Sequence, residues 1–176
     1  KPADHPDQAH IVQLAAQLVR PDNSTRMEFS LIVNPGVHIP SGAAKIHGIT
    51  DDVAAQYGVT PSTAVDFFLM LYDHASKVVA HNIEFDKQVI ETAIARRSGQ
   101  ISPMIKPRYC TMKSATDIVK APPTPKMVAA GRTHHKAPNL GECIKHFFAE
   151  ELDGAHDAMV DVQACRRVYF AMNKPA

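Results

Sequence analysis

The chain has 176 residues, of which 45% are hydrophobic, and its formal net charge at pH 7 is +1. This length and apolar content are sufficient for one globular domain with its own core, and they exclude a small fold that depends on disulfides or metal ions. A net charge near zero neither indicates nor excludes a nucleic-acid partner, because a protein that binds nucleic acid needs only a local basic surface.

The cysteines and the N-terminal residues indicate a reducing compartment. Cys110, Cys143 and Cys165 are odd in number, far apart and outside any CxxC pair, which argues against a disulfide framework or a zinc ribbon. The first ten residues are polar, and the apolar run after them is too short for a signal peptide or a membrane span. We therefore expect a soluble, cytoplasmic protein.

The first half of the chain predicts a hairpin followed by a helix. Residues 11–19 and 29–33 are strand-like runs separated by the turn-forming residues 21–24, and they predict an antiparallel pair. A short helical or turn region follows around residues 45–50. Thr60 and Pro61 then predict the start of a helix that continues to about residue 74.

The second half alternates strands with helices. A strand over 77–82 leads into a helix over 84–97, and a strand around 109–112 leads into a helix that ends near 119. A proline-rich loop over 120–138 is followed by helices over about 139–149 and 157–172. This order predicts one α/β domain over residues 1–176, with helices packed on a mixed sheet.

Two carboxylates stand at the heads of apolar stripes on two of these helices. Apolar residues follow Asp86 and Asp161 at helical spacing, so both acids are expected to point toward the core. The stripes consist of Val89, Ile90, Ala93 and Ile94 in the first helix, and Ala164, Cys165, Val168 and Met172 in the second. Such acids need compensation, and a divalent cation such as Mg²⁺ or Mn²⁺ would provide it. The alternative is that each acid only complements the dipole at its helix N-terminus.

Three segments in order resemble motifs of the DnaQ-like 3′→5′ exonucleases. Residues 79–86, VAHNIEFD, resemble the second motif of that family, in which a strand ends in His-Asn and a helix opens with Phe-Asp. Residues 156–161, HDAMVD, resemble the third motif of its DEDDh group. Residues 45–50, KIHGIT, resemble the His-Gly-Ile-Thr segment that follows the third strand in that family.

The resemblance implies an RNase H-like fold, a mixed five-stranded sheet flanked by helices, and a two-metal mechanism. Family members hold two Mg²⁺ or Mn²⁺ ions with four acidic residues, and Asp86 and Asp161 match two of these. His156 would accept the proton of the attacking water, and the product would be a nucleoside 5′-monophosphate. Five residues along a helix turn by about 140° net, so His156 is expected to precede the helix that carries Asp161.

The resemblance also implies contacts to the substrate. Ile49, with the backbone of His47 and Gly48, would wedge against the terminal nucleotide, and Asn82 and Phe85 would shape its pocket. A core-packing role is the alternative for Phe85. The implied partners are 3′ ends of single-stranded DNA or RNA, with DNA favoured, and a DNA polymerase subunit if the role is proofreading like that of an epsilon subunit.

The segment between residues 121 and 139 contains basic residues and histidines but no acid, namely Lys126, Arg132, His134, His135 and Lys136. Such a loop is able to steer a phosphate backbone toward the site. A solvated loop without a function is the alternative.

The sequence departs from the family at its first motif, an apolar strand that ends in Asp-x-Glu. Before Asp51 the acids are Asp4, Asp7, Asp22 and Glu28, and none forms that pattern. In the family fold this strand is central, so we expect an upstream segment to supply it. These 176 residues alone are expected to fold poorly and to be inactive.

Two other classes of function remain open at this point. A catalytically inactive relative that binds a nucleic-acid end or a protein is one, and the missing Asp-x-Glu is its best support. Among enzymes, an RNA-trimming exoribonuclease is an alternative to a DNA exonuclease. A zinc protein is disfavoured because neither HExxH nor paired CxxC spacing is present.

Overall fold

The computed structural model describes residues 8–100 and 102–173. The chain forms alternating strands and helices, as the sequence predicts for an α/β protein. In chain order the elements are β1 (Gln13–Val19), β2 (Thr25–Ile32), α1 (Ser41–His47), α2 (Asp51–Tyr57), α3 (Pro61–His74), β3 (Val78–Ala80), α4 (Ile83–Ser98), β4 (Arg108–Cys110), α5 (Thr111–Val119), α6 (Pro125–Ala129), α7 (Leu140–Phe148) and α8 (Ala158–Met172).

The predicted antiparallel pair is confirmed by β1 and β2, whose register places Gln13 opposite Ile32. Asn23 has φ of 67° in the connecting turn, a left-handed conformation that asparagine tolerates well. β2 begins four residues earlier than predicted. Residues 25–28 are mostly polar, and their pairing across the turn makes them a strand although they lack an apolar run.

β3 and β4 form a parallel pair in which Val79 lies opposite Tyr109. Each strand leads directly into a helix, α4 and α5 respectively, as predicted. Met112 was expected in the strand but lies in the first turn of α5. The carboxyl ends of β3 and β4 therefore lie at the same edge, with the starts of two helices beside them.

The predicted five-stranded sheet is represented by four strands in two separate two-stranded sheets within the described residues. An isolated parallel bridge between Val33 and Val59 extends the region beside β2. A Cβ atom at Gly58 would come closer than 3.0 Å to backbone atoms there, so the bridge requires glycine. α8 contacts β1, β2 and β3, and so it packs against both sheets.

Local capping sets the helix boundaries. Thr60 caps α3 by accepting a hydrogen bond from the amide of Thr63, and Pro61 is its first residue, as predicted. Asn139 and Glu142 form a capping box at the start of α7. Two short helices, α2 and α6, were not predicted; the first follows the cap residue Thr50 and the second lies inside the proline-rich loop.

The buried apolar residues form three clusters. The largest lies between the hairpin and helices α3 and α4, the second lies among α5, α7 and α8, and the third lies under α1 and α2. None of the helices in the described parts of the chain is both long and apolar enough to span a membrane.

Candidate active site

The junction between β3 and α4 places Asp86 at the edge of the parallel pair. Asn82 follows the strand with φ of 71° and turns the chain into α4, and its side chain makes no capping hydrogen bond. Asp86 then lies in the first turn of the helix. The expected apolar stripe is present, because Val89 is partly buried and Ile90, Ala93 and Ile94 are buried.

Asp86 is exposed as a whole residue, although its carboxyl group is largely shielded from water, so it lies at the edge of the core and not within it. It precedes the buried stripe by one turn and lies at the rim of the core. Removal of water from the carboxyl group by the surrounding protein, together with the charge of Asp161, raises its pKa to about 6. Asp86 is therefore an exposed acid in a crowded, electronegative setting.

The start of α8 carries the second acid and the candidate base. His156 precedes the helix, as predicted, and its φ of 76° is unusual for a residue other than glycine. Its backbone amide donates to Oδ1 of Asp161 over 3.5 Å. Partial burial raises the pKa of Asp161, while the amide and the charge of His156 oppose that rise.

The packing of α8 against β3 places the two motifs close enough for their charges to interact. The charge of Asp161 acts on Asp86 and on His81, and His156 acts on Asp161. Because such effects are strong only at short range in water, the ends of β3 and the start of α8 form one site. Asp86 is thus near Asp161 and His156, although it lies 70 or more residues before them in the sequence.

His81, which precedes Asn82 in the second motif, supports this site through two hydrogen bonds, and no sequence pattern predicts this role. Its Nε2 lies 2.9 Å from the Pro138 carbonyl oxygen and its Nδ1 lies 3.0 Å from the hydroxyl of Thr111. Burial lowers the pKa of His81, which favours a neutral ring that donates to Pro138 and accepts from Thr111. The Thr111 oxygen in turn lies 3.5 Å from Sγ of Cys165, one turn beyond Asp161 on α8.

Cys165 is the inert end of that chain of hydrogen bonds. Burial raises the pKa of its thiol to about 12, and the charge of Asp86 contributes to the rise. The thiol is therefore protonated at neutral pH and is available as a donor to Thr111. The chain connects α8, α5, β3 and the loop before α7 beneath the two acids.

The predicted substrate contacts differ in how well the structure accommodates them. Phe85 is 58% exposed, which argues against the core-packing alternative and leaves its ring available to a ligand. Ile49 is only 5% exposed and packs in the core with Ile39 and Ala54, so its predicted wedge role is wrong. In the same segment Ile46 is 61% exposed.

The backbone explains why Ile49 turns inward. Gly48 ends α1 with φ of 75°, and the amide of Ile49 donates to Nδ1 of His47 over 3.2 Å. This turn buries Ile49 beneath α2 and leaves Ile46 on the outer face of α1. No local pattern distinguishes Ile46 from Ile49, because both lie in the same short motif.

The acid-free loop is only partly available to a ligand. Lys126, Arg132, His134 and His135 are exposed. Lys136, in contrast, forms an ion pair of 2.5 Å with Glu142 in the capping box of α7. The expectation that Lys136 contributes to phosphate steering is therefore replaced by a structural role.

The donor set of the site fits a hard divalent cation. Asp86 and Asp161 offer carboxylate oxygens, and Mg²⁺ often binds through one or two carboxylates together with water and substrate phosphate. Within residues 8–100 and 102–173, no group of three or more His, Cys, Asp and Glu side chains is arranged to hold a metal ion. Asp86 and Asp161 would supply only part of the coordination shell, and water, phosphate or other oxygen donors would complete it.

Residues 3–169 match the model of the RNase_T family, which is described as Exonuclease. No curated protein resembles the chain closely enough in sequence to count as a match.

Solved structures share the fold at low sequence identity. E. coli exonuclease I in complex with a dT13 oligonucleotide superposes with a TM-score of 0.75 at 18% identity, over 97% of this chain and 38% of that one. The zinc-bound form of E. coli exonuclease I with single-stranded DNA gives a TM-score of 0.71 at 18% identity, over 98% of this chain and 39% of that one. Exonuclease X in complex with 5′ overhanging duplex DNA gives a TM-score of 0.53 at 20% identity, over 94% of this chain and 84% of that one.

The coverage differs between these relatives. The chain spans less than two fifths of the length of the two exonuclease I structures and most of exonuclease X. At these identities the likeness establishes an RNase H-like exonuclease fold.

Proposed function

Because the chain belongs to the exonuclease family, we propose that it is a metal-dependent 3′→5′ exonuclease that releases nucleoside 5′-monophosphates. The observation that carries this proposal is the meeting of Asp86, Asp161 and His156 at one edge of the molecule. Each of the three stands at the start of a helix, where it is held by backbone geometry.

The two acids would hold the cation. Removal of water raises the pKa of both carboxyl groups, which makes the site favourable for a bound cation. A divalent ion bound there would polarise the scissile phosphate and lower the pKa of a bound water. Zinc in one exonuclease I structure supports a divalent ion in this fold, and the oxygen donors of this site favour Mg²⁺ or Mn²⁺.

His156 would accept the proton of the attacking water. Imidazole is the side-chain group that most often serves as a general base in proteins, and His156 supplies one. Its side chain is exposed beside Asp161, while its backbone is anchored by the hydrogen bond to that acid. This combination suits a general base that must reach water over a bound phosphate.

We favour single-stranded DNA as the substrate. The complexes of exonuclease I with DNA oligonucleotides support this choice, and the exposed Phe85 ring offers a surface on which a terminal base can stack. His47, Gly48 and Asn82 remain proposed substrate contacts, with Ile46 in place of Ile49. A proofreading role beside a DNA polymerase subunit stays a prediction.

The experiment uses the chain with a strand that ends in Asp-x-Glu restored before it, and compares Asp86→Asn and Asp161→Asn with the otherwise unaltered protein. The substrate is single-stranded DNA labelled at either end, with Mg²⁺ or Mn²⁺. The unaltered protein should shorten a 5′-labelled strand progressively and release a labelled mononucleotide from a 3′-labelled strand. Both variants should lose this activity and remain folded. Glu84→Gln, on the same turn as Asp86, is the matched control and should remain active.

Three results would change the proposal. Full activity in either Asp variant would remove these acids from the site. Faster digestion of the same sequence as RNA would favour the exoribonuclease alternative. Tight binding of DNA ends without cleavage under either metal would favour the catalytically inactive relative.

A further inference from the structure

Gln13, the first residue of β1, connects that strand to the segment that carries His156. Its Nε2 donates to Oδ2 of Asp157 over 2.8 Å, and its Oε1 accepts from the backbone amide of Ala158 over 3.0 Å. Both atoms of one side-chain amide are thus used on two successive residues at the start of α8. Such a two-point contact fixes orientation as well as distance.

Asp157 transmits this contact into the helix. Its other oxygen, Oδ1, accepts from the amides of Met159 and Val160 over 3.0 and 3.1 Å, and so caps α8. The hydrogen bond from Gln13 is the main cause of the lowered pKa of Asp157. The cap therefore remains ionised, and the capped end of the helix is held against β1.

His156 is the residue directly before this cap. Its backbone has a positive φ, and its amide reaches Asp161 in the first turn of the same helix. A histidine in this strained conformation depends on its neighbours to keep it there. Gln13 donates a hydrogen bond to Asp157, the residue after His156, and Asp161 accepts a hydrogen bond from the His156 amide.

Gln17 provides an internal comparison on the same face of β1. Its Oε1 accepts from Arg166 over 3.2 Å, and its Nε2 donates to Glu28 over 2.7 Å. Both glutamines therefore reach α8, but Gln17 meets it nine residues beyond Asp157, about 13 Å farther along the helix axis. Only Gln13 lies at the end that carries His156 and Asp161.

We propose that Gln13 is a positioning residue that orients His156 for proton transfer through Asp157 and the first turn of α8. The proposal rests on the proposed exonuclease function for its catalytic consequence, although the orientation of His156 is a property of the protein alone. Gln13 itself touches neither of the two acids that would hold the cation. Its effect is on the rate of the chemical step, since a small displacement of a catalytic group is costly.

The kinetic test compares Gln13→Leu with Gln17→Leu. Each removes one amide that joins β1 to α8, so their melting temperatures should fall by similar small amounts. Gln13→Leu should reduce kcat by about tenfold to a hundredfold with KM within about twofold. Gln17→Leu should leave kcat unchanged. Equal kcat values in the two variants would overturn the proposal.

Exchanging the amide of Gln13 and the carboxylate of Asp157 between the two positions should restore kcat. Gln13→Glu alone places two carboxylates against each other and should reduce kcat. Combining it with Asp157→Asn restores both contacts: the new carboxylate still accepts from the Ala158 amide, and it now accepts from the new amide at position 157, which reverses the polarity of that contact alone. The double variant should recover most of kcat. A double variant no better than Gln13→Glu alone would contradict the orientation role.

A second measurement separates this proposal from the proposed function. The imidazole signals of His156 in nitrogen–proton NMR spectra, assigned with a His156→Ala sample, should shift or broaden in Gln13→Leu but not in Gln17→Leu. They should return toward their original positions in the double variant. If the protein proves inactive but the signals follow this pattern, the positioning role stands and the nuclease proposal fails. If the signals are unaltered in Gln13→Leu, the positioning role fails.

Discussion

Asp86→Asn should stabilise the metal-free protein at neutral pH although it removes a proposed metal ligand. A pKa raised from 3.8 to about 6 means that the folded state holds the proton of Asp86 more tightly than the unfolded state does. The ionised carboxylate therefore opposes folding. This cost is complete above the folded pKa and disappears as the pH falls below the unfolded value of 3.8.

The expected gain in folding stability follows from the size of the pKa shift and from the exposure of the Asp86 side chain. For a fully buried acid this pKa would correspond to about 3 kcal/mol. The Asp86 side chain is exposed, and solvent screening reduces the expected gain to about 1 kcal/mol. The variant should therefore be more stable by about that amount near pH 7 and nearly the same as the original near pH 3, where the Asp86 carboxyl group is mostly protonated in both the folded and the unfolded state.

Urea unfolding followed by circular dichroism in EDTA measures this difference. Glu84→Gln on the same helical turn is the control and should change the free energy of unfolding by less than about 0.5 kcal/mol. Addition of Mn²⁺ should reverse the order, because the ion binds the original carboxylate and stabilises the folded state by mass action. An Asp86→Asn protein that is less stable than the original in EDTA near pH 7 would refute the reasoning.

Two further predictions concern the base and the basic loop. His156→Ala should slow turnover by about 10² to 10⁴, the usual contribution of a general base, with Mn²⁺ binding retained in calorimetric titrations; loss of metal binding in this variant would assign His156 a different role. Neutralising Lys126 and Arg132 together should weaken single-strand binding and flatten its dependence on salt by about 0.7 in log–log slope for each lost phosphate contact. An unchanged slope would show that the loop does not contact the strand.

Elements with local stop and start signals were predictable from the sequence. Thr60 and Pro61 at the start of α3, and the apolar spacing of α4 and α8, depend on hydrogen bonds and periodicities within one or two turns. The position of His156 before its helix followed from helical geometry in the same way. The short helix α2 lacks a long apolar stripe and was missed, although Thr50 does cap it.

The orientation of side chains at the site was less predictable. Ile49 and Ile46 are chemically identical and three residues apart, and the turn at Gly48 decides which of them is buried. The sequence suggests that Lys136 is a free cation, but in the structure it forms an ion pair with Glu142. Asp86 begins an apolar stripe, yet its own side chain lies at the rim, because the stripe alone does not define where the core ends.

The sequence by itself determined the family resemblance, the alternation of strands and helices, and the identities of Asp86, Asp161 and His156, since each depends on short spacings along the chain. Only the tertiary structure decided that these side chains meet, that Asp86 remains exposed, and that Gln13 reaches Asp157 across 144 residues. The physical reason is that a hydrogen bond or a Coulombic interaction depends on distance in space. That distance is set by the packing of α8 against β1 and β3, which no local pattern encodes.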